Sequence, residues 1–278
     1  MTEAPSPDPS GAPGLWTRDF VAITVVNFLV AMNFYLLMMV VAKFATDRFA
    51  ASPAVAGLAA SIFVIGGLIT RPLAGRWIHR LGQRKTLYVG VGMTVVLTAL
   101  YFAATSVTLL LVIRLLHGAA FGITSVTTAT IVVGVMPSSR YGEGIGYFTL
   151  SQTLATAIGP FVGLLLLQHG SFDAIVIAST AVPALGLLMM PSLHVRDTRP
   201  APERRGLARK PELGGFVERS VIPIALAIAI VYLGYASVMS FLALYAQEIG
   251  LMTAASVFFI VLAVVVFAVL LALGAGVA

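Results

Sequence analysis

Eight long apolar runs, separated by short polar connections, constrain this chain more than any other feature of its sequence. The runs lie near residues 20–42, 53–74, 86–105, 108–135, 144–168, 172–192, 221–246 and 252–276. Each is close to the roughly 20 residues that a helix needs to cross the hydrocarbon core of a bilayer. Because only helices and closed barrels satisfy their backbone polar groups in lipid, the runs predict an all-α, polytopic membrane protein.

Composition excludes several classes of protein. With 59% hydrophobic and 10% charged residues, the chain lies outside the range of soluble domains. Its net charge is +6, but Lys and Arg cluster in the connections and form no continuous face, so we expect no nucleic-acid partner. Cysteine is absent, and no two histidines have the i, i+4 spacing of a helical metal site. We predict no metal and no cofactor and, since no catalytic motif is present, no enzyme.

The distribution of basic residues predicts the orientation. They concentrate after the second, fourth and sixth runs, whereas the opposite side carries Lys43 and Arg48 alone. Cytoplasmic loops are enriched in Lys and Arg, so we expect a cytoplasmic N-terminus in a bacterial plasma membrane. Aromatic residues near the ends of the runs are expected to anchor the helices at the membrane interface: Trp16, Trp77, Tyr88 and Tyr101.

The spacing of the runs predicts four regions. Residues 1–18, rich in Pro, Ser and Gly, predict a disordered cytoplasmic tail. A six-helix bundle over 19–192 is followed by a polar cytoplasmic linker over 193–220, and 221–278 begins a second bundle. A weak repeat relates the first and seventh runs, and the sequence ends before the basic segment would recur. We therefore expect a protein that is truncated in its second half.

A basic segment after the second run carries the first of three family signatures. Residues 76–85 read RWIHRLGQRK and follow Gly75, a pattern that resembles the signature turn of the major facilitator superfamily. The matching positions are Arg80, Gly82, Arg84 and Lys85, while His79 stands where the family carries an acid. The resemblance implies that Gly75 lets the second and third helices approach closely and that the turn helps to lock two halves in one state. The alternative is that these are only charges that set the topology.

The fourth run contains LVIRLLHGAAFG, which resembles the family's R-x-x-x-G pattern. Arg114, Gly118 and Gly122 are four residues apart and share one helix face. Placing a guanidinium inside a membrane helix costs roughly 2.5–3.5 kcal/mol, so we expect Arg114 to face the bundle interior or a wet cavity. His117 can share that face. The alternatives are that Arg114 snorkels to the outer interface and that His117 is a packing residue.

The fifth run carries the third signature. Ser151, Ala155, Gly159 and Gly163 form a stripe of small residues that allows another helix to pack closely, and Pro160 should bend the helix. The run resembles the exporter motif built around G-P-x-x-G, which implies export by exchange against protons. Together with the other signatures, it makes the chain similar to drug and metabolite:proton antiporters. The segments MNFYLLM, in the first run, and YGEGIGYFTLSQTLATAIGPFVG also resemble opine-metallophore exporters.

The nature of the cargo follows from the charges. All acidic residues lie outside the runs or at their ends, so no carboxylate is available at mid-membrane to attract a cation. Arg114 would be satisfied by backbone carbonyls, by Gln152 or by an anionic group of the cargo. We therefore expect a small anionic or zwitterionic cargo, with protons as the second transported species.

Four further residues are candidates to line the central cavity. Asn27 and Asn33 lie in the first run and Tyr232 and Tyr235 in the seventh, which occupy matching positions in the two halves. The alternative for each Asn is an amide bond across a helix pair. Arg71, before a proline at the end of the second run, is expected to be an interface anchor or gate residue.

The leading hypothesis is a six-helix bundle plus about two helices of a second bundle, forming part of a secondary active exporter that works by alternating access. The alternatives are an inactive fragment and a truncated, non-transporting membrane protein. Such a protein would associate with a partner, or with a second copy, through the small stripe of the fifth helix.

Overall fold

The computed structural model describes residues 14–169, 171–194 and 222–275, and the regular structure in these ranges is helical throughout. The predicted all-α class is therefore confirmed. Seven helices, α1 to α7, are long and apolar enough to cross a membrane within the described ranges. The eight α-helices are α1 (Arg18–Phe49), α2 (Pro53–Leu81), α3 (Gln83–Ala99), α4 (Val107–Val135), α5 (Tyr141–His169), α6 (Phe172–Met189), α7 (Ile222–Glu248) and α8 (Met252–Ala275).

The basic segment is not a turn, contrary to the prediction. The α2 helix continues to Leu81, and α3 begins at Gln83, so the connection between them is Gly82 alone. Gly82 has φ 87° and ψ 159°, a region of backbone space that is essentially restricted to glycine. The basic side chains therefore project from the last turns of α2 and the first turn of α3. We refer to this side of the molecule as the basic end of the bundle.

Close approach through glycine occurs between α2 and α4. A methyl group at Gly118 would overlap the carbonyl oxygen of Phe63, and one at Gly122 would overlap the backbone of Gly67. At Gly75, by contrast, an added methyl group would meet no atom within 4 Å. The close approach of α2 and α3 that we expected at Gly75 is therefore wrong. The contact is instead made further along α2, where α4 crosses it.

The small stripe of α5 packs against α1. A methyl group added to Gly159 would lie 3.0 Å from the backbone nitrogen of Leu36, and one added to Gly163 would lie 2.8 Å from its carbonyl oxygen. The stripe does admit a closely packed helix, but that helix belongs to the same chain. The α5 helix continues through Pro160 to its end at His169.

The basic end of the bundle includes residues that we had assigned to the tail. Leu15 is fully buried with Phe20, Met190 and Leu193, so the predicted disorder is wrong for the residues just before α1. The backbone N–H of His194 donates to the Asp19 carboxylate at 2.8 Å and ties the end of the sixth helix region to the start of α1. The rest of the predicted tail, 1–13, and the predicted linker from 195 onward lie outside the described residues. Beyond it, α7 packs against α1 and α8 against α5.

Candidate functional site

A cavity of about 290 Å³ lies between α1, α2, α4 and α5. Its walls come from the N-terminal halves of α1 and α5 and the C-terminal halves of α2 and α4, which places it nearer the basic end of the bundle. The polar lining residues are Asn27, Arg71, Ser125 and Gln152, and the apolar ones include Phe121 and Phe148. A pocket of mainly apolar surface with a few convergent polar groups is the usual form of a small-molecule site.

Asn27 is held rigidly at the edge of the cavity. Its Nδ2 donates to Ser151 Oγ at 3.3 Å, and its Oδ1 accepts from Thr128 Oγ1 at 3.2 Å. The Asn27 amide thus has both of the roles given above as alternatives: it lines the cavity, and it bonds across helices. These bonds fix the relative positions of α1, α4 and α5 around the cavity.

Arg71 contributes the positive charge of the cavity wall. It lines the cavity together with Gln152, and both side chains are exposed. Within the described parts of the chain, no hydrogen bond or salt bridge involves Arg71. We had assigned Arg71 to an interface anchor or gate. The α2 helix continues ten residues beyond it to Leu81, so Arg71 lies well inside the helix and on the cavity wall.

Arg114 faces the buried interior of the bundle, one of the two environments expected for it, and does not line the cavity. Its side chain is fully buried, which also excludes snorkelling in this structure. Nε donates to Ala59 O at 2.9 Å and Nη2 to Ala60 O at 3.2 Å, and Cζ lies 4.7 Å from the centre of the Phe63 ring. Of the three partners considered for Arg114, the structure provides the backbone carbonyls. Any role in moving cargo or protons stays a prediction.

Tyr101 connects Arg114 to His117. It lies in the short 3-10 segment that follows α3, and its hydroxyl accepts from Arg114 Nη1 at 3.4 Å. The same hydroxyl lies 3.3 Å from His117 Nδ1. Because the Arg donates, the one phenolic proton is free to point at Nδ1. Tyr101 is 1% exposed, so its assignment as an interfacial anchor is wrong.

The hydrogen-bond directions assign the tautomer of His117. Thr98 Oγ1 donates to Thr94 O at 2.7 Å, so it can only accept from His117 Nε2 at 3.4 Å. With Nδ1 accepting from Tyr101, these directions assign the ring proton of His117 to Nε2. The result is one directed chain that runs from Arg114 through Tyr101, His117 and Thr98 to a backbone carbonyl. We call this chain the buried polar network.

Asn33 joins the buried polar network from α1. Its Nδ2 donates to Ser179 O at 2.7 Å and to Thr98 Oγ1 at 3.3 Å, and its side chain is 1% exposed. Asn33 therefore bonds across helices and does not line the cavity. The sequence did not predict that Tyr101 and Thr98 bond to residues of α4, because nothing in their local sequence marks them as its partners.

The remaining predicted residues lie apart from the cavity. Tyr232 is 63% exposed on α7, next to an apolar groove, and does not line this cavity. Its place in a central cavity between two halves stays a prediction. Tyr235 is half-buried against the main core cluster, with its ring 6.0 Å from that of Tyr232. The side chains of the basic signature are exposed at the basic end: His79, Arg80, Arg84 and Lys85.

Known proteins share both the sequence pattern and the fold. The profile of the Major Facilitator Superfamily matches residues 23–278. An uncharacterized MFS-type transporter of Burkholderia pseudomallei (strain 1106a) is 28% identical over 240 residues, which cover 82% of this chain and 56% of that protein. Multidrug resistance protein 2 of Bacillus subtilis (strain 168) is 24% identical over 175 residues, which cover 60% of this chain and 42% of that protein.

The similarity extends to solved structures. A crystal structure of the peptide transporter POT in complex with sulfate superposes with a TM-score of 0.62 at 15% identity, covering 84% of this chain and 50% of that one. At this identity the likeness concerns the fold. The chain spans about half the length of the curated relatives that it matches.

Proposed function

Because the chain belongs to the Major Facilitator Superfamily, we propose that it forms the N-terminal bundle and the start of the second bundle of a secondary active exporter. The exporter moves a small molecule out of the cytoplasm in exchange for protons. The observation that carries this proposal is the cavity between α1, α2, α4 and α5, whose wall combines apolar surface with a few polar groups. Transporters of this architecture bind cargo between their two halves.

The direction of transport rests on charge and on the α5 motif. Positive charges gather at the end nearest the cavity, and the enrichment of Lys and Arg in cytoplasmic loops supports assigning this end to the cytoplasmic side of a bacterial plasma membrane. The Gly159-Pro160 pair of the exporter motif lies inside α5, beside α1. Similarity to a protein named for multidrug resistance supports export.

The packing of α5 argues against the alternative of a non-transporting partner protein. That alternative requires the small stripe of α5 to receive a helix from another molecule. In the structure α1 already occupies the stripe at Gly159 and Gly163. Association through this surface would require α1 to leave its place in the bundle.

Proton exchange in everted membrane vesicles tests the proposal. The vesicles contain the full-length product of the gene, an internal acid pH is established, and a pH-sensitive dye follows proton movement after addition of small organic anions, zwitterions or cations. We expect at least one compound to release protons. Ala129→Trp should abolish this response, because Ala129 lines the cavity and the indole fills it.

The matched control is Leu188→Trp, since Leu188 is 75% exposed on the outside of α6. It should transport like the unmodified protein. If no compound moves protons, proton antiport is wrong. If Ala129→Trp transports as fast as the control, the cavity is not the transport path.

A further inference from the structure

We propose that Arg71 and Gln152 form an anion-binding site that receives an oxyanion group of the cargo, such as a carboxylate. This inference rests on the proposed transport function and specifies its cargo class. Both side chains are exposed on the wall of the same cavity. Arg71 comes from α2 and Gln152 from α5, so a bound group would be held from two sides.

The charge balance of the cavity favours an anion. Arg71 carries the formal charge on the wall, and the lining contains no carboxylate within the described part of the chain. The acidic residues described on these helices lie near their ends, for example Asp19, Asp47 and Glu143, with Glu143 paired to Arg140 at 2.8 Å. An ionisable side chain inside a membrane protein is costly and generally serves a site or a pathway.

A comparison of the exposed Arg71 with the buried Arg114 locates the free donors. Arg114 uses Nε, Nη1 and Nη2 on Ala59, Tyr101 and Ala60 within its own bundle. It therefore has little capacity left for a ligand. Arg71 has no such partner among the described residues, so its planar fork of N–H donors is available to bind an oxyanion through two parallel hydrogen bonds.

The rest of the wall sets the size and surroundings of the ligand. The volume of about 290 Å³ corresponds to about ten water molecules, at roughly 30 Å³ each in the liquid. The Asn27 amide already bonds to Ser151 and Thr128, which leaves Gln152 as the more adaptable amide of the cavity lining. Phe121 and Phe148 provide apolar surface for the remainder of the molecule. The site therefore fits a small organic anion.

Direct binding tests this inference separately from transport. The 278-residue chain is purified in a neutral maltoside detergent and titrated with succinate by calorimetry. We expect Arg71→Gln to weaken succinate binding by at least about tenfold, the loss typical of a hydrogen bond to a charged group. Arg71→Lys should retain part of the affinity, because it keeps the charge and loses the fork. Folding of each variant is checked by its thermal unfolding temperature.

The matched control is Arg76→Gln, five residues further along α2, where the side chain is exposed and outside the cavity lining. It should bind succinate like the unmodified chain. If Arg71→Gln and Arg76→Gln bind succinate with equal affinity, whether both are weakened or neither is, the anion site is overturned. The same holds if folded Arg71→Lys and Arg71→Gln bind succinate as well as the unmodified chain.

A second measurement separates cargo from lipid. Phosphate groups of anionic lipids offer the same chemistry as a soluble oxyanion, so retention of phosphatidylglycerol is measured in nanodiscs for the same variants. Succinate binding that depends on Arg71 supports the cargo site. If Arg71 affects phosphatidylglycerol retention and leaves succinate binding unchanged, Arg71 is a lipid contact and the inference is wrong.

The transport assay keeps the two proposals distinguishable. If the full-length product exports a cargo and Arg71→Gln leaves export unchanged, the anion site fails and the transport function stands. If no export occurs while succinate binding still requires Arg71, the transport function fails and the anion site stands.

Discussion

The hydroxyl of Tyr101 connects the two side chains of the bundle that are hardest to bury, Arg114 and His117. It accepts from Arg114 Nη1 at 3.4 Å and lies 3.3 Å from His117 Nδ1. Tyr101→Phe removes this one oxygen and keeps the ring, which is 1% exposed. The substitution therefore breaks the buried polar network in its middle with little change in packing. We expect a measurable loss of stability.

The size of the loss follows from the two bonds. In soluble proteins, a buried group left without its partner costs about 1–3 kcal/mol. Hydrogen bonds between membrane helices contribute less, about 0.6 kcal/mol on average and up to about 1.7 kcal/mol. Both bonds of Tyr101 are long, and Arg114 keeps its contacts to Ala59 and Ala60. Two average bonds of this kind give about 1.2 kcal/mol, so we expect Tyr101→Phe to lower the free energy of unfolding by about 1–2 kcal/mol.

Equilibrium unfolding in mixed micelles with increasing dodecyl sulfate measures this quantity. Far-UV circular dichroism reports the helical content, and the chain's two tryptophans report the bundle by fluorescence. Tyr147→Phe is the matched control, because Tyr147 is 39% exposed and its ring contacts Trp16 through atoms that the substitution retains. The control should change the free energy of unfolding by less than about 0.5 kcal/mol.

A double-mutant cycle with His117→Leu isolates the Tyr101–His117 contact. If the network exists, the two substitutions together cost less than the sum of their separate losses, with a coupling of at least about 0.5 kcal/mol. Two results would refute the reasoning. The first is a Tyr101→Phe loss no larger than that of Tyr147→Phe, and the second is strict additivity in the cycle.

Two further predictions concern packing and access. Gly118→Ala should lower the free energy of unfolding by about 1–3 kcal/mol, because the added methyl group overlaps Phe63 O. Gly75→Ala has open space around the methyl group and should be neutral or slightly stabilising. Equal effects of the two substitutions in the same unfolding assay would contradict the α2–α4 contact. Since the chain has no cysteine, Ser125→Cys in the cavity should react with a membrane-impermeant maleimide in vesicles that expose the basic end. Thr127→Cys, fully buried, should react only after denaturation, and equal labelling of both would show that the cavity is not open to water.

The helices were predictable because hydrophobic length is a direct physical requirement of a membrane span. All eight runs correspond to α1 to α8. Their ends were not predictable from hydropathy, which marks the boundary of the bilayer and not the end of hydrogen bonding. The α2 helix continues through Arg76 and Arg80 to Leu81, since both residues are good helix formers, and stops where Gly82 adopts its special conformation.

Helical periodicity predicted which residues share a face but not what that face contacts. Gly118 and Gly122 lie on the α4 face with Arg114, as their spacing requires, and that face packs on α2. Two of the three partners of Arg114 are backbone carbonyls more than fifty positions away, and a backbone atom is not encoded by any particular residue type. Polarity alone also failed to separate Asn27, which reaches the cavity, from Asn33, which is buried in the network.

The self-contained coordination of Arg114 has a consequence for the proposed transport cycle. Its acceptors lie on α2 and directly after α3, so the guanidinium and its acceptors form part of one bundle. When two bundles rock against each other as rigid bodies, this charge keeps the same neighbours throughout. The free energy of dehydrating the Arg114 guanidinium is then lost at membrane insertion and is the same in the inward-facing and outward-facing states. The free-energy difference that drives the cycle must come from groups whose hydration changes between those states.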